Sequence, residues 1–238
     1  MIDYSQHFDA IYCLSLADFV RRRNDMHWEL KRVGIEDSGI LHWKITVRNA
    51  FYKYIYKNPD FPVEDWWTHL QGCMNCTMGH YEIMMECLAR GFKRVLIIED
   101  DIRFLKDIGE IETHLRNLPE YDICMWDKNI PWEKEPFHNA VRESKVNDYY
   151  IDFTNVKLNS TGCYAVNAKA MEYITASQMI LFNPSDKVLN ELQFDDDLKR
   201  VASIKNVAIQ NLPKYKEKLS ATDRIIYESF VDYNDYEL

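Results

Sequence analysis

Three consecutive carboxylates, Glu99-Asp100-Asp101, directly follow four apolar residues, Val95, Leu96, Ile97 and Ile98. Side by side, such acids repel one another unless a cation or a positively charged partner offsets them. Oxygen-only ligands on one side of a cleft suit Mg²⁺ or Mn²⁺, with nucleotide phosphates completing the shell. The same spacing also suits an acidic loop that caps the next helix, and spacing alone favours neither. Arg21, Arg22 and Arg23 form a cluster of opposite sign. They sit near the start of an expected helix, where the helix dipole disfavours cations. A phosphate nearby would justify the cluster. Solvation is the plainer account of at least two of the three.

Other spacings are weaker. Cys73 and Cys76 are separated like a pair of metal ligands, but a structural zinc site needs four ligands, usually a second such pair, and none follows. His80 shares a stripe with Met84, Cys87 and Gly91 on a helix that ends at Gly91. It is therefore expected to point inward near that helix's start, and taken alone it reads as a packed core histidine. Asp195-Asp196-Asp197 is a second acidic run. It follows a helix and precedes Leu198-Lys199-Arg200, which suits a solvated turn. Trp66 and Trp67 suit either a sugar-binding surface or core packing.

The acids need a rigid element to hold them. A short β-branched run without alternation suits a central parallel strand covered on both faces. Parallel α/β sheets place their ligands just beyond the carboxyl ends of such strands. Residues 10–16 read as the first core strand. Asp18 is the expected N-cap of the next helix, with Phe19, Val20, Met26, Leu30 and Val33 on its apolar face and Gly34 as its stop. Residues 41–47, 121–126, 161–166 and 207–210 read as further strands, and Asp127 ends the second of these. Residues 108–118 and 167–176 read as helices. Asn183-Pro184-Ser185-Asp186 is a helix start, with Ser185 or Asp186 as its cap.

Composition sets the frame. At 238 residues, with 47% hydrophobic and 28% charged content, the chain can bury a substantial core. The expectation is a single domain over 1–238, in which 128–157 form a lid or variable excursion and 213–238 a peripheral tail. A net charge of −9 argues against non-specific binding to nucleic acid. Only 7 Gly and 7 Pro, against 13% aromatic residues, argue against a disordered chain. No apolar run approaches membrane-spanning length, and the N-terminus lacks a charged region followed by a long apolar stretch. The expectation is a cytoplasmic protein without a transmembrane segment, free to make peripheral contact at the inner membrane face. Six cysteines, several inside apolar runs, read as reduced thiols.

Four blocks of residues occur in an order that matches a known family. Leu16 is followed by Arg22-Arg23-Asn24-Asp25-Met26 and then by Gly34-Ile35. Gly72, Cys76 and His80 form the second block, and Leu96-Ile97-Ile98-Glu99-Asp100-Asp101 the third. Thr161-Gly162-Cys163-Tyr164 leads to Pro184-Ser185-Asp186 and Gln210. In these blocks the chain resembles glycosyltransferase family 25, which contains bacterial lipopolysaccharide or lipooligosaccharide sugar transferases and the collagen galactosyltransferases. It departs from the family pattern at Cys73, where the family has Glu, at Asn75 (Gly), at Gly79 (Ser), and at Ala17-Asp18, which replaces an acid-base pair.

The resemblance implies a GT-A-type nucleotide-diphospho-sugar transferase fold, an α/β sandwich with a mostly parallel central sheet flanked by helices. It implies metal-dependent, inverting transfer of a hexose from UDP-galactose or UDP-glucose to a saccharide acceptor, lipid-linked or protein-linked, in lipopolysaccharide or related glycan synthesis. On that reading Mn²⁺ or Mg²⁺ is held chiefly by Asp101, with help from Glu99 and Asp100. Asp186 is the base that inversion requires, with a helix cap as its other role, and Asp127 is the next candidate. Arg22 meets the nucleotide diphosphate, His80 the donor or the metal, and Thr161 and Gly162 belong to the donor site. Two other classes stay open: an inactive family member that binds a saccharide or partner, and a metal-dependent nucleotidyltransferase or phosphohydrolase. The last leaves the Thr161-Gly162 and Pro184-Ser185-Asp186 blocks unexplained.

Overall fold

The apolar run before the acids forms β3 (Arg94–Glu99), and the sheet is built outward from it. β1 (Ala10–Leu16) lies beside it in parallel, with Leu14 opposite Glu99, and β2 (Leu41–Thr46) pairs in parallel with the far side of β1. On the other flank of β3 runs β7 (Cys163–Asn167), antiparallel, with Cys163 opposite Ile98. β5 (Ile123–Met125) is antiparallel to β7, β8 (Arg200–Ser203) is parallel to β5, and β6 (Tyr150–Asp152) closes the edge antiparallel to β8. The order across the sheet is β2-β1-β3-β7-β5-β8-β6. Among the described residues, only β7 and β6 of these seven strands run against the rest, so the sheet is mixed but mostly parallel. β4 (Ile102–Phe104) and β9 (Ala208–Gln210) form a separate antiparallel ribbon just beyond β3. The computed structural model describes residues 2–47, 64–128, 139, 142–153, 158, 160–176 and 197–210, and gives only the backbone of 64–74.

Helices cover both faces. α1 (Val20–Arg32), α2 (Glu64–Arg90), α3 (Ile108–Arg116) and α4 (Ala168–Ala176) follow in chain order. Ile83, Met84 and Cys87 of α2 and Met171 and Ile174 of α4 pack on Tyr12, Leu14, Val95 and Ile97. Met26 and Leu30 of α1 and Ile111 and Leu115 of α3 pack on Ile11, Cys13, Leu96 and Ile98. Successive strand residues point to opposite faces, so a strand buried on both must be apolar at every position. Each such side chain contributes about 1.5–3 kcal/mol of burial. That is why β3 has no polar break until its carboxyl end.

The helix ends show where local signals held and where they slipped. Gly34 and Gly91 adopt φ of 77° and 74°, the left-handed conformation that stops α1 and α2 where expected. α1, however, is preceded by Phe19 as N-cap, with no side-chain cap hydrogen bond, and not by Asp18. A tight turn out of β1, in which Phe19 N donates to Leu16 O, leaves Asp18 one residue too early. Val20 is 56% exposed, because the stripe of Met26, Leu30 and Val33 takes the sheet-facing side. α3 is capped reciprocally: Asp107 accepts from Glu110 N and Glu110 accepts from Asp107 N. β6 belongs to the 128–157 excursion, so that stretch supplies a strand of the main sheet. The described thiols Cys13, Cys76, Cys87, Cys124 and Cys163 are free. Among the described residues no helix is long and apolar enough to cross a membrane. Pro184, Ser185, Asp186 and the 213–238 tail lie outside the described residues.

Candidate active site

The acids turn in different directions, because β3 ends at Glu99 and Asp100 and Asp101 lie in the turn that follows. Glu99 continues the face of Val95 and Ile97, towards α2. There its Oε1 accepts from Thr161 Oγ1 at 2.6 Å and from Cys76 Sγ at 3.5 Å, and lies 3.0 Å from His80 Nε2. His80 is buried, and its Nδ1 lies 2.9 Å from the Tyr164 hydroxyl. When Tyr164 donates to Nδ1, Nε2–H is left to donate to Glu99, which satisfies all three groups. Burial alone would raise the Glu99 carboxyl, but the hydrogen bonds from His80 and Thr161 outweigh it and hold it below its ordinary value.

His80 lies well inside the 27-residue α2, not near its start. The side-chain stripe that signals the helix becomes readable only around His80. Cys76 and His80 are four residues apart on this helix and so share a face. Cys76, His80 and Glu99 bring ligand-type atoms within 4.8 Å of one another. The local partner of Cys76 is thus His80; the side chain of Cys73 lies outside the described residues.

Asp100 and Asp101 turn towards α1. Ser15 Oγ donates to Asp100 Oδ2 at 2.5 Å, while Arg22 Nη1 stands 3.5 Å from Asp100 Oδ1 and 3.1 Å from Asp101 Oδ2. The arginine cluster is sorted by this geometry. Arg21 is exposed, Arg22 faces the acids, and Arg23 donates to the carbonyl oxygens of Leu16 and Ala17 at the end of β1. Burial raises the Asp100 carboxyl against the opposing Ser15 hydrogen bond and Arg22 charge. For Asp101, burial and then the charge of Glu99 push the value up to about 7, with Arg22 opposing. Asp101 Oδ1 is buried and accepts no hydrogen bond among the described residues. An orphaned, hard carboxylate oxygen of this kind fits a divalent cation.

A fourth carboxylate belongs to the same end of the sheet. Asp127, just past β5, is fully buried, and Ser160 Oγ donates to its Oδ2 at 2.5 Å. Burial pushes it up to about 8 against that hydrogen bond, with the charges of Glu99 and Asp101 adding. Lys128 beside it is also fully buried and donates to Asn206 Oδ1 at 2.9 Å. Burial pushes this ammonium down to about 7, although Asp127 opposes the shift. Thr161 and Gly162 lead into β7, where Gly162 O accepts from Glu99 N at 2.8 Å.

The expected residues therefore fall into two sets that meet at the end of β3: His80, Thr161 and Gly162 around Glu99, and Arg22 around Asp100 and Asp101. Asp186 lies outside the described residues. Ser15, Ser160 and Lys128 were not singled out from the sequence, and Tyr164 stood there only within the Thr161-Gly162-Cys163-Tyr164 block. Ser15 carried a usable signal, as the one serine in the apolar run of β1. Ser160 carried none, since its role comes from a contact with a residue 33 positions away.

A mostly parallel α/β sheet with acids and an arginine gathered at the carboxyl end of an interior strand defines an α/β protein with a candidate ligand site where such sheets hold their ligands. The family model described as glycosyltransferase family 25 (LPS biosynthesis protein) matches residues 8–189, and the chain belongs to this family. A human protein named inactive glycosyltransferase 25 family member 3 is 30% identical over 143 residues, covering 54% of this chain and 23% of that protein. A Drosophila melanogaster glycosyltransferase 25 family member is 25% identical over 158 residues, 57% of this chain and 26% of that protein. The matched segment thus spans about a quarter of either relative. Among solved structures, the glycosyltransferase GlyE of Streptococcus pneumoniae TIGR4 aligns with a TM-score of 0.44 at 9% identity, covering 96% of this chain and 60% of that one. A glycosyltransferase involved in glycosylation of the major capsid of PBCV-1 aligns with a TM-score of 0.43 at 9% identity, over 92% and 99%. These likenesses are loose.

Proposed function

We infer that the chain is a metal-dependent, inverting hexosyltransferase that moves galactose or glucose from a UDP-sugar to a glycan acceptor. The observation that carries this reading is Asp101: a buried carboxylate with one oxygen orphaned and the other on Arg22, at the carboxyl end of the central strand. Asp101 is the chief ligand for Mn²⁺ or Mg²⁺, with Asp100 beside it and Glu99, kept ionised by His80 and Thr161, adding charge behind it. A bound divalent cation spreads the charge that develops on the departing diphosphate.

The chain's own groups do the rest. Arg22 presents a planar guanidinium that suits two phosphate oxygens at once. His80 orients Glu99, and the Thr161-Gly162 segment borders the donor side. Asp186, in the sequence block Pro184-Ser185-Asp186, takes the proton of the acceptor hydroxyl. The acceptor is a lipid-linked saccharide of the lipopolysaccharide type, or a protein-linked one, met in the cytoplasm or at the inner membrane face. The chain is a single catalytic domain, to whose sheet the 128–157 excursion contributes β6.

A second reading has an observation of its own. The human relative is named inactive, and Cys73, Asn75 and Gly79 depart from the family pattern close to His80. An inactive chain would bind a saccharide or partner without turnover. Consumption of UDP-galactose and UDP-glucose, with and without a saccharide acceptor and with Mn²⁺ present or chelated, separates the readings. Acceptor-dependent, chelator-sensitive release of UDP supports transfer; no consumption supports the inactive protein. Acceptor-independent release of a nucleoside monophosphate indicates a phosphohydrolase.

A further inference from the structure

We propose that Asp127 is a further carboxylate of the cation site, beside Asp101, Asp100 and Glu99, reaching across β7 to face Asp101. This rests on the reading of that site as one for a divalent cation.

β3 and β5 are not neighbours, because β7 runs between them. At their carboxyl ends Glu99 N donates to Gly162 O at 2.8 Å and Asp127 N donates to Cys163 O at 3.0 Å. The entrance to β7 therefore separates the two groups of acids. At that entrance the intervening residue has no side chain. A Cβ on Gly162 would stand 2.3 Å from Asp127 Oδ2 and 2.4 Å from Ile102 Cδ1. The Asp127 carboxylate and the Ile102 side chain already fill the space above Gly162. Asp127 thus crosses the strand to the residue that directly follows Asp101.

Both carboxylates are incomplete. Asp127 is fully buried, and while Ser160 holds Oδ2, Oδ1 has no hydrogen-bond partner among the described residues. Asp101 is 6% exposed, and its Oδ1 is orphaned in the same way. Buried polar oxygens are nearly always satisfied, so two orphans at one end of a sheet call for a shared partner. Carboxylate oxygens, once ionised, are hard donors that select a cation of the Mg²⁺ or Mn²⁺ class. The backbone adds a further sign of positioning. Ser160 takes φ of 130°, a conformation that a non-glycine residue adopts at a cost, and there its hydroxyl both accepts from Gly162 N and donates to Asp127.

The test is Mn²⁺ binding to the full chain, followed by electron paramagnetic resonance of free Mn²⁺ with and without UDP, beside the rise in melting temperature that Mn²⁺ produces. Asp127→Asn keeps the shape and can still accept from Ser160. It should weaken Mn²⁺ by at least about tenfold, the lower end of the cost of losing an outer-shell partner, and abolish most of the thermal shift. If Asp127→Asn binds like the parent while Asp101→Asn does not, the proposal is overturned and the cation-site reading stands. If the parent itself binds no Mn²⁺, that reading fails first. Should Asp127→Asn fail to fold, Ser160→Ala leaves the carboxylate and removes only its anchor. A several-fold loss of Mn²⁺ affinity in that variant supports the proposal, and parental affinity overturns it.

Discussion

Arg22 holds its guanidinium 3.1 Å from Asp101 and 3.5 Å from Asp100, so that one cation is shared between two buried acids. It also lies over the Phe19 ring, 4.4 Å from the centroid, which fixes the approach from the first turn of α1. A helix start is a poor place for an arginine unless negative charge faces it. Here the acids supply that charge, and in the proposed reaction a diphosphate adds to it. Arg22→Ala should therefore raise the donor KM, and Arg21→Ala should not, since Arg21 is exposed. A hydrogen bond to a charged group is worth about 1.5–3 kcal/mol, which corresponds to roughly tenfold to a hundredfold in KM. Steady-state kinetics on both variants check this. Equal small effects would leave Arg22 as a counterion of the acids alone.

The raised carboxyls make a prediction about pH. Asp101 is lifted from 3.8 to about 7 and Asp127 from 3.8 to about 8, burial being the main cause in both. Each binds its proton more tightly in the folded chain than in the unfolded one. Their contribution to stability is full in acid and is lost as pH rises through those folded values. Glu99, held low by His80 and Thr161, acts in the opposite sense below its ordinary range. With chelator present, the melting temperature should fall as pH is raised from about 5 to about 7, above which the lowered Lys128 ammonium acts in the opposite sense. Asp101→Asn should flatten the fall, and Mn²⁺ should reverse it in the parent. A parent melting temperature that stays level with chelator over that range would refute the assignment.

Gly79 has a packing reason for departing from the family's serine. A Cβ there would stand 2.5 Å from Leu14 Cδ1, because α2 lies close against β1 at this point. Gly79→Ala gains about 0.5–1 kcal/mol of helix preference but meets an overpacking cost of about 1–3 kcal/mol. The net effect expected is a loss of about 1 kcal/mol, on the difference of those two ranges. Leu14→Val on the same chain should recover much of it by freeing the space. Urea unfolding of the two single variants and the double variant measures the coupling directly. A stabilised Gly79→Ala would mean that α2 and β1 give way without cost.

For Asp186 the two roles part in Asp186→Asn, which keeps capping ability and removes the charge. Loss of a general base costs about 10²–10⁴-fold in rate, whereas even outright loss of a cap costs only about 1 kcal/mol of stability. The expected outcome is a folded variant that still binds UDP and Mn²⁺ and turns over very slowly. Transfer within a few-fold of the parent would move the base elsewhere. Loss of Mn²⁺ binding as well would make Asp186 part of the metal or donor site.

Much of this arrangement was legible in the chain. A short, β-branched apolar run ending in Glu99, Asp100 and Asp101 suits a strand buried on both faces, so β3 and the place of its acids were legible from residue type and run length. Gly34 and Gly91 stopped their helices because no other residue takes left-handed φ so cheaply. The arginine cluster pointed to negative charge by its position against the helix dipole. The structure alone decided what depends on distant partners. A buried strand reads the same whether its neighbour runs parallel or antiparallel, so nothing local revealed that β7 enters between β3 and β5. Nor could three adjacent acids show that Glu99 would turn to His80 while Asp101 turned to Arg22. The reach of Asp127 over Gly162 joins residues 35 apart in the chain, and only folding brings them within contact.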